Sequence, residues 1–180
     1  TGVQVPEDIF LREYAVFETV NNGSSWRDTF GAFKDSMSSE DKLKLVSRFG
    51  GIFSSHYNYA RKEVSDNQAI TAEQLLLSAK NGTPGGVCRD IALTQSQMLE
   101  ELGFKNNYVL AYHTPLGGHA IAMTRDPATG KYYKFNYSDM QSTDARSGSE
   151  ALFQSGALPE NGLKYRIYNT KGEPVVSMPT

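Results

Sequence analysis

The chain has one cysteine, Cys88, among its 180 residues. A lone thiol forms no internal disulfide and builds no zinc site of cysteines. Three roles remain: a small buried hydrophobe, a partner for another chain's thiol, or a reactive group. An excess of charge is also missing, since 18 Lys and Arg stand against 20 Asp and Glu, for a net −2. That balance lacks the basic footprint of a nucleic-acid binder. No apolar run approaches the ~20 residues of a membrane-spanning helix. There is no internal repeat and no low-complexity tract. The scarcity of cysteine suits the cytoplasm without excluding an oxidising compartment. The chain opens on Thr1 rather than Met. That suggests a secreted or periplasmic protein whose signal peptide has been removed, or a trimmed chain, with a cytoplasmic location left open.

What is present is ordinary globular material: 39% hydrophobic and 21% charged residues, enough for one domain with a sizeable core. "PEDIFLREYAVFETVNN" places Ile9, Phe10, Tyr14, Phe17 and Val20 near helical spacing, with Pro6 to open the helix. Trp26, Phe30 and Phe33 follow at helical intervals in a stretch broken by Gly23 and Gly31. "SSEDKLKLVSRFGGIFSSHYNYARKEV" reads as helical from an N-cap at Ser39, with Gly50 and Gly51 as an interruption. "TAEQLLLSAKNG" reads as a short helix with Thr71 and Gln74 at capping-box spacing and Asn81-Gly82 as its stop.

The segment "GTPGGVCRDIALTQSQMLEELGF" then sets glycines and a valine before Cys88 and a helical stripe after it: Ile91, Ala92, Met98, Leu99 and Leu102. Beyond Gly103 the hydrophobic period changes to two. "NNYVLAYHT" reads as a strand, and "GGHAIAMTRDPATGKYYKFNYSDM" as two strands around the turn Asp126–Gly130. Gln141 to Leu163 reads as a Ser/Gly-rich loop with room for a short helix, and "LKYRIYNTKGEPVVSM" as one or two late strands. Helices first and antiparallel strands after predict an α+β fold.

A cysteine where a glycine turn meets a helix N-terminus is placed for chemistry. The free N–H groups and the dipole favour a thiolate. Glycines let a substrate backbone approach, and the N–H of Cys88 is placed to donate to an oxyanion. The base comes from three histidines, His56, His113 and His119. His119 follows Gly117-Gly118 and opens a strand; His113 also lies on a strand but lacks the flanking glycines and a downstream orienter. His56 reads as a helix-surface or cleft residue. With Asp126 paired to Lys131, Met123 falls opposite Lys134 and Ile121 opposite Asn136. His119 and Asn136 then share a face as diagonal neighbours, and a small slip or bulge would set them directly opposite. Asn136 is placed to accept from one ring nitrogen while the other faces Cys88.

These residues resemble the transglutaminase-like superfamily, in particular its bacterial cysteine-peptidase-like branches. The resemblance runs from about Ile52 to Met140. It rests on the short helix before Gly82, the Gly-x-Cys-x-Asp of Gly86 to Asp90, the histidine that opens a strand and the polar residue that ends the next. It implies a papain-like core in which a nucleophile helix packs on an antiparallel sheet. Residues 1–50 would be a helical extension, 52–140 the catalytic core, and 141–180 a loop with C-terminal strands, all in one domain. It implies a catalytic Cys88, His119 and Asn136. The family usually carries Asp at the third place, so Asp139 is the alternative orienter, and the aromatic often found two residues after the histidine is missing from "HAIAM". A second oxyanion donor would come from the helix before the nucleophile, with Tyr57, Asn58 and Tyr59 as candidates; Gly86 and Gly118 would border the substrate cleft. Arg89 and Asp90 are either a solvated first-turn pair or cleft residues, and the tyrosines are packing and rim residues.

The function expected is thiol-dependent hydrolysis of a peptide or other amide, in a protein or in peptidoglycan, through a thioester acyl-enzyme. Transfer of the acyl group to an amine is the first alternative; a binding or scaffold module on a retired enzyme fold is the second. None of these readings calls for a cofactor or a metal, and His119 has no partners at metal-ligand spacing. The oligomeric state is left open.

Overall fold

Polar side-chain caps open four of the described helices, and glycines close two of them. The computed structural model describes residues 8–58, 70–114, 117–143 and 165–175, with the backbone alone at positions 113 and 114. Helix α1 spans Ile9–Asn22, opened by the Asp8 carboxylate, which accepts from the N–H groups of Phe10 and Leu11, and closed by Gly23 at φ 72°. Helix α2 covers Trp26–Lys34 behind Ser25, with Gly31 inside it rather than breaking it. Helix α3 covers Ser39–Ser54. Its cap is Ser38, one residue earlier than expected, whose hydroxyl accepts from Asp41 N–H. Helix α4, Ala72–Asn81, has the anticipated Thr71/Gln74 box and stops at Gly82, φ 65°. Helix α5, Cys88–Glu101, begins at the cysteine itself.

Six strands follow: β1 Asn107–Thr114, β2 Gly117–Arg125, β3 Tyr132–Asn136, β4 Asp139–Ser142, β5 Tyr165–Tyr168 and β6 Pro174–Val175. They form one sheet in the order β4-β3-β2-β1-β5-β6, antiparallel at every pairing. The fold is therefore α+β, five helices and a six-stranded antiparallel sheet among the described residues, with α5, the helix that begins at Cys88, packed on the sheet. No helix among those residues is long and apolar enough to cross a membrane.

One core joins helices and sheet. Trp26, Phe30, Phe33, Phe49 and Phe53 are all buried, with Leu75, Ile91, Leu99, Ala122 and Phe135 in the same cluster. The rings meet edge-on or tilted: Trp26 and Phe30 have centroids 5.5 Å apart at 87°, and Phe30 and Phe49 5.9 Å apart at 52°. Burying each such ring contributes about 1.5–3 kcal/mol of transfer free energy. Rings from α2 and α3 thus share one cluster with Ile91 and Leu99 of α5 and with Ala122 and Phe135 of the sheet.

Two departures share one cause. Gly50 and Gly51 do not interrupt α3. They let it press against the turn after β3: a methyl at Gly50 would overlap the Tyr137 carbonyl and the Gln95 side-chain amide. The second departure is β4. Gln141 and Ser142 belong to a strand, not a loop, because the chain turns back at Tyr137-Ser138 and pairs Asn136 with Asp139. Tyr137 takes φ 58° there, uncommon for a residue with a side chain. Gln95 Nε2 donates to the Tyr137 carbonyl at 3.0 Å and the Ser47 hydroxyl to the Ser138 carbonyl at 2.6 Å. Helical continuation past Ser54 toward residue 64 was also expected; α3 stops at Ser54, and residues 59–69 lie outside the described residues. The same holds for 144–164 and any short helix there.

Candidate active site

The entry to Cys88 is built by a buried carboxylate. Asp90, fully buried, reaches back so that Oδ2 accepts from Val87 N–H and Oδ1 from Ile70 N–H, both at 2.8 Å. It is neither half of a solvated pair nor a cleft residue; it caps the start of α5 and ties in the strand-like entry to α4. Arg89 Nε lies 3.8 Å from it. Gly86 is needed for this packing, because a methyl there would stand 2.6 Å from Asp90 Oδ2 and 2.9 Å from the Ile70 side chain. The 56–58 segment lies alongside: Gly85 N–H donates to the His56 carbonyl, and Asn58 N–H to the Gly86 carbonyl at 3.0 Å. These bonds hold Tyr57 beside Cys88.

The β2–β3 register is the one the turn predicts, with Met123 opposite Lys134 and Asp126 N–H donating to the Lys131 carbonyl at 2.8 Å. No slip or bulge is needed to join His119 to Asn136. The side chains close the diagonal themselves, with Nε2 2.8 Å from Oδ1. The imidazole stands between two rings, 5.9 Å from Tyr112 and 5.7 Å from Tyr137, both edge-on. With Nε2 committed to Asn136, Nδ1 is the nitrogen left for the sulfur.

Cys88 is partly buried. Burial pushes its thiol pKa up; a hydrogen bond from His119 and that ring's charge pull it down, helped by the N–H groups of Ala120 and Arg89, and the net result is lowered. Tyr57 shifts the other way. Burial raises its phenol most, the charge of Cys88 raises it further, and hydrogen bonds from the Cys88 N–H and the Tyr137 side chain oppose the rise; its hydroxyl also bonds the Cys88 sulfur. Tyr57 therefore keeps its proton at neutral pH, next to the one backbone N–H expected to serve an oxyanion.

A cleft of about 410 Å³ opens on Cys88 and His119, with Gly118, Ala111, Tyr112 and Arg166 in its walls. Of the other sequence candidates, Tyr57, Asn58 and Gly86 do not line it; the bonds above show Asn58 and Gly86 bracing the loop before Cys88, and Tyr57 meets Cys88 from beside the cleft. Tyr59 lies outside the described residues, as does the His113 side chain; the His113 backbone pairs with Gly118. His56 is half-buried at the end of α3. Asp139 sits across the hairpin from Asn136 and its carboxylate accepts from Gln141 at 3.0 Å; the partner of His119 is Asn136. Gln95 and Tyr137 escaped the sequence reading. The signal for Gln95 was a polar residue at the place where the Ile91–Met98 stripe calls for an apolar one.

Comparison with known proteins adds little. No family model matches the chain, and no curated protein matches it. Among solved structures, Legionella pneumophila LapG is similar, with a TM-score of 0.49 and 15% identity over 74% of this chain and 76% of that one.

Proposed function

We propose that the protein is a thiol-dependent hydrolase of peptide or other amide bonds, with Cys88, His119 and Asn136 as its triad. The observation that carries the reading is the placement of one imidazole: Nε2 is held by Asn136 at 2.8 Å while the ring bonds the Cys88 sulfur. An Nε2–H donated to Asn136 Oδ1 leaves the Nδ1 lone pair for the thiol proton, which is the tautomer a general base needs. The transglutaminase-like resemblance of Ile52 to Met140 points the same way.

The steps follow from the atoms. Nδ1 takes the proton from Sγ, and the thiolate attacks the amide carbon. The carbonyl electrons move to oxygen, where the Tyr57 hydroxyl donates to the oxyanion and the Cys88 N–H, released from that hydroxyl's oxygen, donates beside it. Collapse expels the amine, which takes its proton from the imidazolium and leaves a thioester on Cys88. The imidazole then deprotonates a water, which attacks the thioester, and the carboxylic acid departs as Sγ is restored. An amine in place of that water would give acyl transfer.

The test is trapping. Brief exposure to p-nitrophenyl acetate should leave an acetyl group on Cys88, seen by intact mass spectrometry, and none on Cys88→Ala. A peptide mixture should then yield new termini with the wild-type protein alone. Repeating it with an added primary amine separates hydrolysis from transfer by product mass. A Cys88 that stays unacylated and reacts as an ordinary thiol would favour the binding-module alternative.

A further inference from the structure

The cleft beside Cys88 differs in charge from the rest of the chain. The protein carries net −2, yet the charged residues lining this cleft are Arg89 and Arg166, with no Asp or Glu among the described lining residues. Arg89 has Asp90 3.8 Å away. Arg166 is exposed and forms no ion pair with any described residue. Its position in the sheet gives it access to the nucleophile. Ala111 pairs with Arg166 on one side and with Ala120 on the other, so the three side chains form a row across β5, β1 and β2 on one face. The backbone of Ala120 meets the Cys88 sulfur. Two strand spacings, about 10 Å, separate the ends of the row, and the two alanines between leave the floor low enough for an arginine stem to lie along it. Tyr112, Tyr165 and Tyr168 complete the wall.

We infer that this cleft selects substrates bearing a carboxylate close to the scissile amide, such as an acidic peptide, with Arg166 as the recognition group. The inference rests on the thiol-hydrolase reading for the reaction and on the row Arg166–Ala111–Ala120 for the specificity. A guanidinium offers a planar fork that matches a carboxylate, while the tyrosine rings pack the neighbouring part of the substrate. Arg89, nearer the nucleophile, adds to the field without being free to take the carboxylate alone.

The experiment reads Cys88 directly and needs no turnover. Alkylation by iodoacetate and by iodoacetamide is followed by intact mass in the wild type, Arg166→Gln and Arg166→Glu. The ratio of the two rates cancels any general effect of folding or thiol basicity. It should fall about twofold for each unit of charge removed, the effect of one charge about 10 Å away in water. In parallel, blocked pentapeptides with Glu, Gln or Lys at the centre compete against iodoacetamide. Protection should follow Glu over Gln over Lys in the wild type and reverse in Arg166→Glu. A ratio indifferent to residue 166, or equal protection by the Glu and Lys peptides, overturns the inference. Slow, free-thiol alkylation by both reagents in the wild type overturns the hydrolase reading instead.

Discussion

Gly50 in α3 and Tyr137 in the β3–β4 turn touch so closely that no side chain fits between them; a methyl on Gly50 would lie 2.6 Å from the Tyr137 carbonyl carbon. The contact matters because Tyr137 follows Asn136, the residue holding His119. Gln95, which is 1% exposed, bridges the same place by donating to the Val46 carbonyl at 3.2 Å and the Tyr137 carbonyl at 3.0 Å. Helix α3, helix α5 and the hairpin are locked at the residue after Asn136.

Gly50→Ala should therefore cost about 1–3 kcal/mol of stability, the usual price of overpacking, because the obstructing atoms are backbone. Gln95→Leu should cost a similar amount by removing the buried amide that donates to the Val46 and Tyr137 carbonyls. The check is the urea midpoint of each variant. In both, acylation by p-nitrophenyl acetate should drop by more than the folded fraction does, since the hairpin carrying Asn136 moves. Full acylation by a destabilised but folded Gly50→Ala would break the link between this contact and the site.

The thiol of Cys88 should react at pH values where a free thiol, with pKa near ~8.5, is mostly protonated. The sign follows from the environment. Burial raises the pKa, His119 and the N–H groups of Ala120 and Arg89 lower it, and the lowering wins. Thiolate is thus retained as pH falls below the free-thiol range and is lost only at the depressed pKa. In His119→Ala the raising effect of burial loses its chief opponent, so the alkylation profile should shift upward. Iodoacetamide rates across pH, read by mass, decide it; superimposable profiles for the two proteins would rule out the pairing.

Asn136→Ala should reduce acylation about tenfold, the ~1.4 kcal/mol of one hydrogen bond at the upper end of its net range. Asn136→Asp should retain activity, because a carboxylate accepts from Nε2 as the amide oxygen does. The Asp variant should also hold the imidazolium more strongly, extending the acid limb of the profile. If Asn136→Ala acylates at the wild-type rate, Asp139 or the flanking rings orient the histidine instead.

The parts of this site legible in the sequence are those written locally. Asp126 to Gly130 carries its own turn residues, so the β2–β3 register, and with it the shared face of His119 and Asn136, could be read from alternation alone. Glycines followed by a helical stripe place Cys88 at a helix start. The β3–β4 turn was not legible because Tyr137-Ser138 has no residue suited to positive φ; Ser47 and Gln95, about 90 and 42 positions away in sequence, hold it. Gly50-Gly51 looked like a break for the same reason, since the surface that needs them belongs to another part of the chain. Asp90 reads in sequence as half of a solvated pair with Arg89 or as a cleft residue, because its two backbone partners, at 70 and 87, converge only on folding.

Tyr57 offers the sharpest separation of nucleophile from oxyanion chemistry. Its hydroxyl receives the Cys88 N–H and stays protonated, because burial first and the charge of Cys88 second raise its pKa. A protonated phenol there donates to the oxygen that becomes negative when the thiolate attacks a carbonyl. Alkylation by iodoacetamide forms no such oxygen. Tyr57→Phe should then lower acylation by p-nitrophenyl acetate at least ~10-fold, toward the 10²–10³ typical of a lost oxyanion donor, and by more than it lowers alkylation, which loses only the hydroxyl's bond to the sulfur. Tyr137 stays in place to pack the phenylalanine ring, with the present centroids 6.4 Å apart, so the melting temperature should change little. Parallel losses in both reactions would instead make Tyr57 a support for the thiolate, and equal rates in both would leave the Cys88 N–H as the working donor.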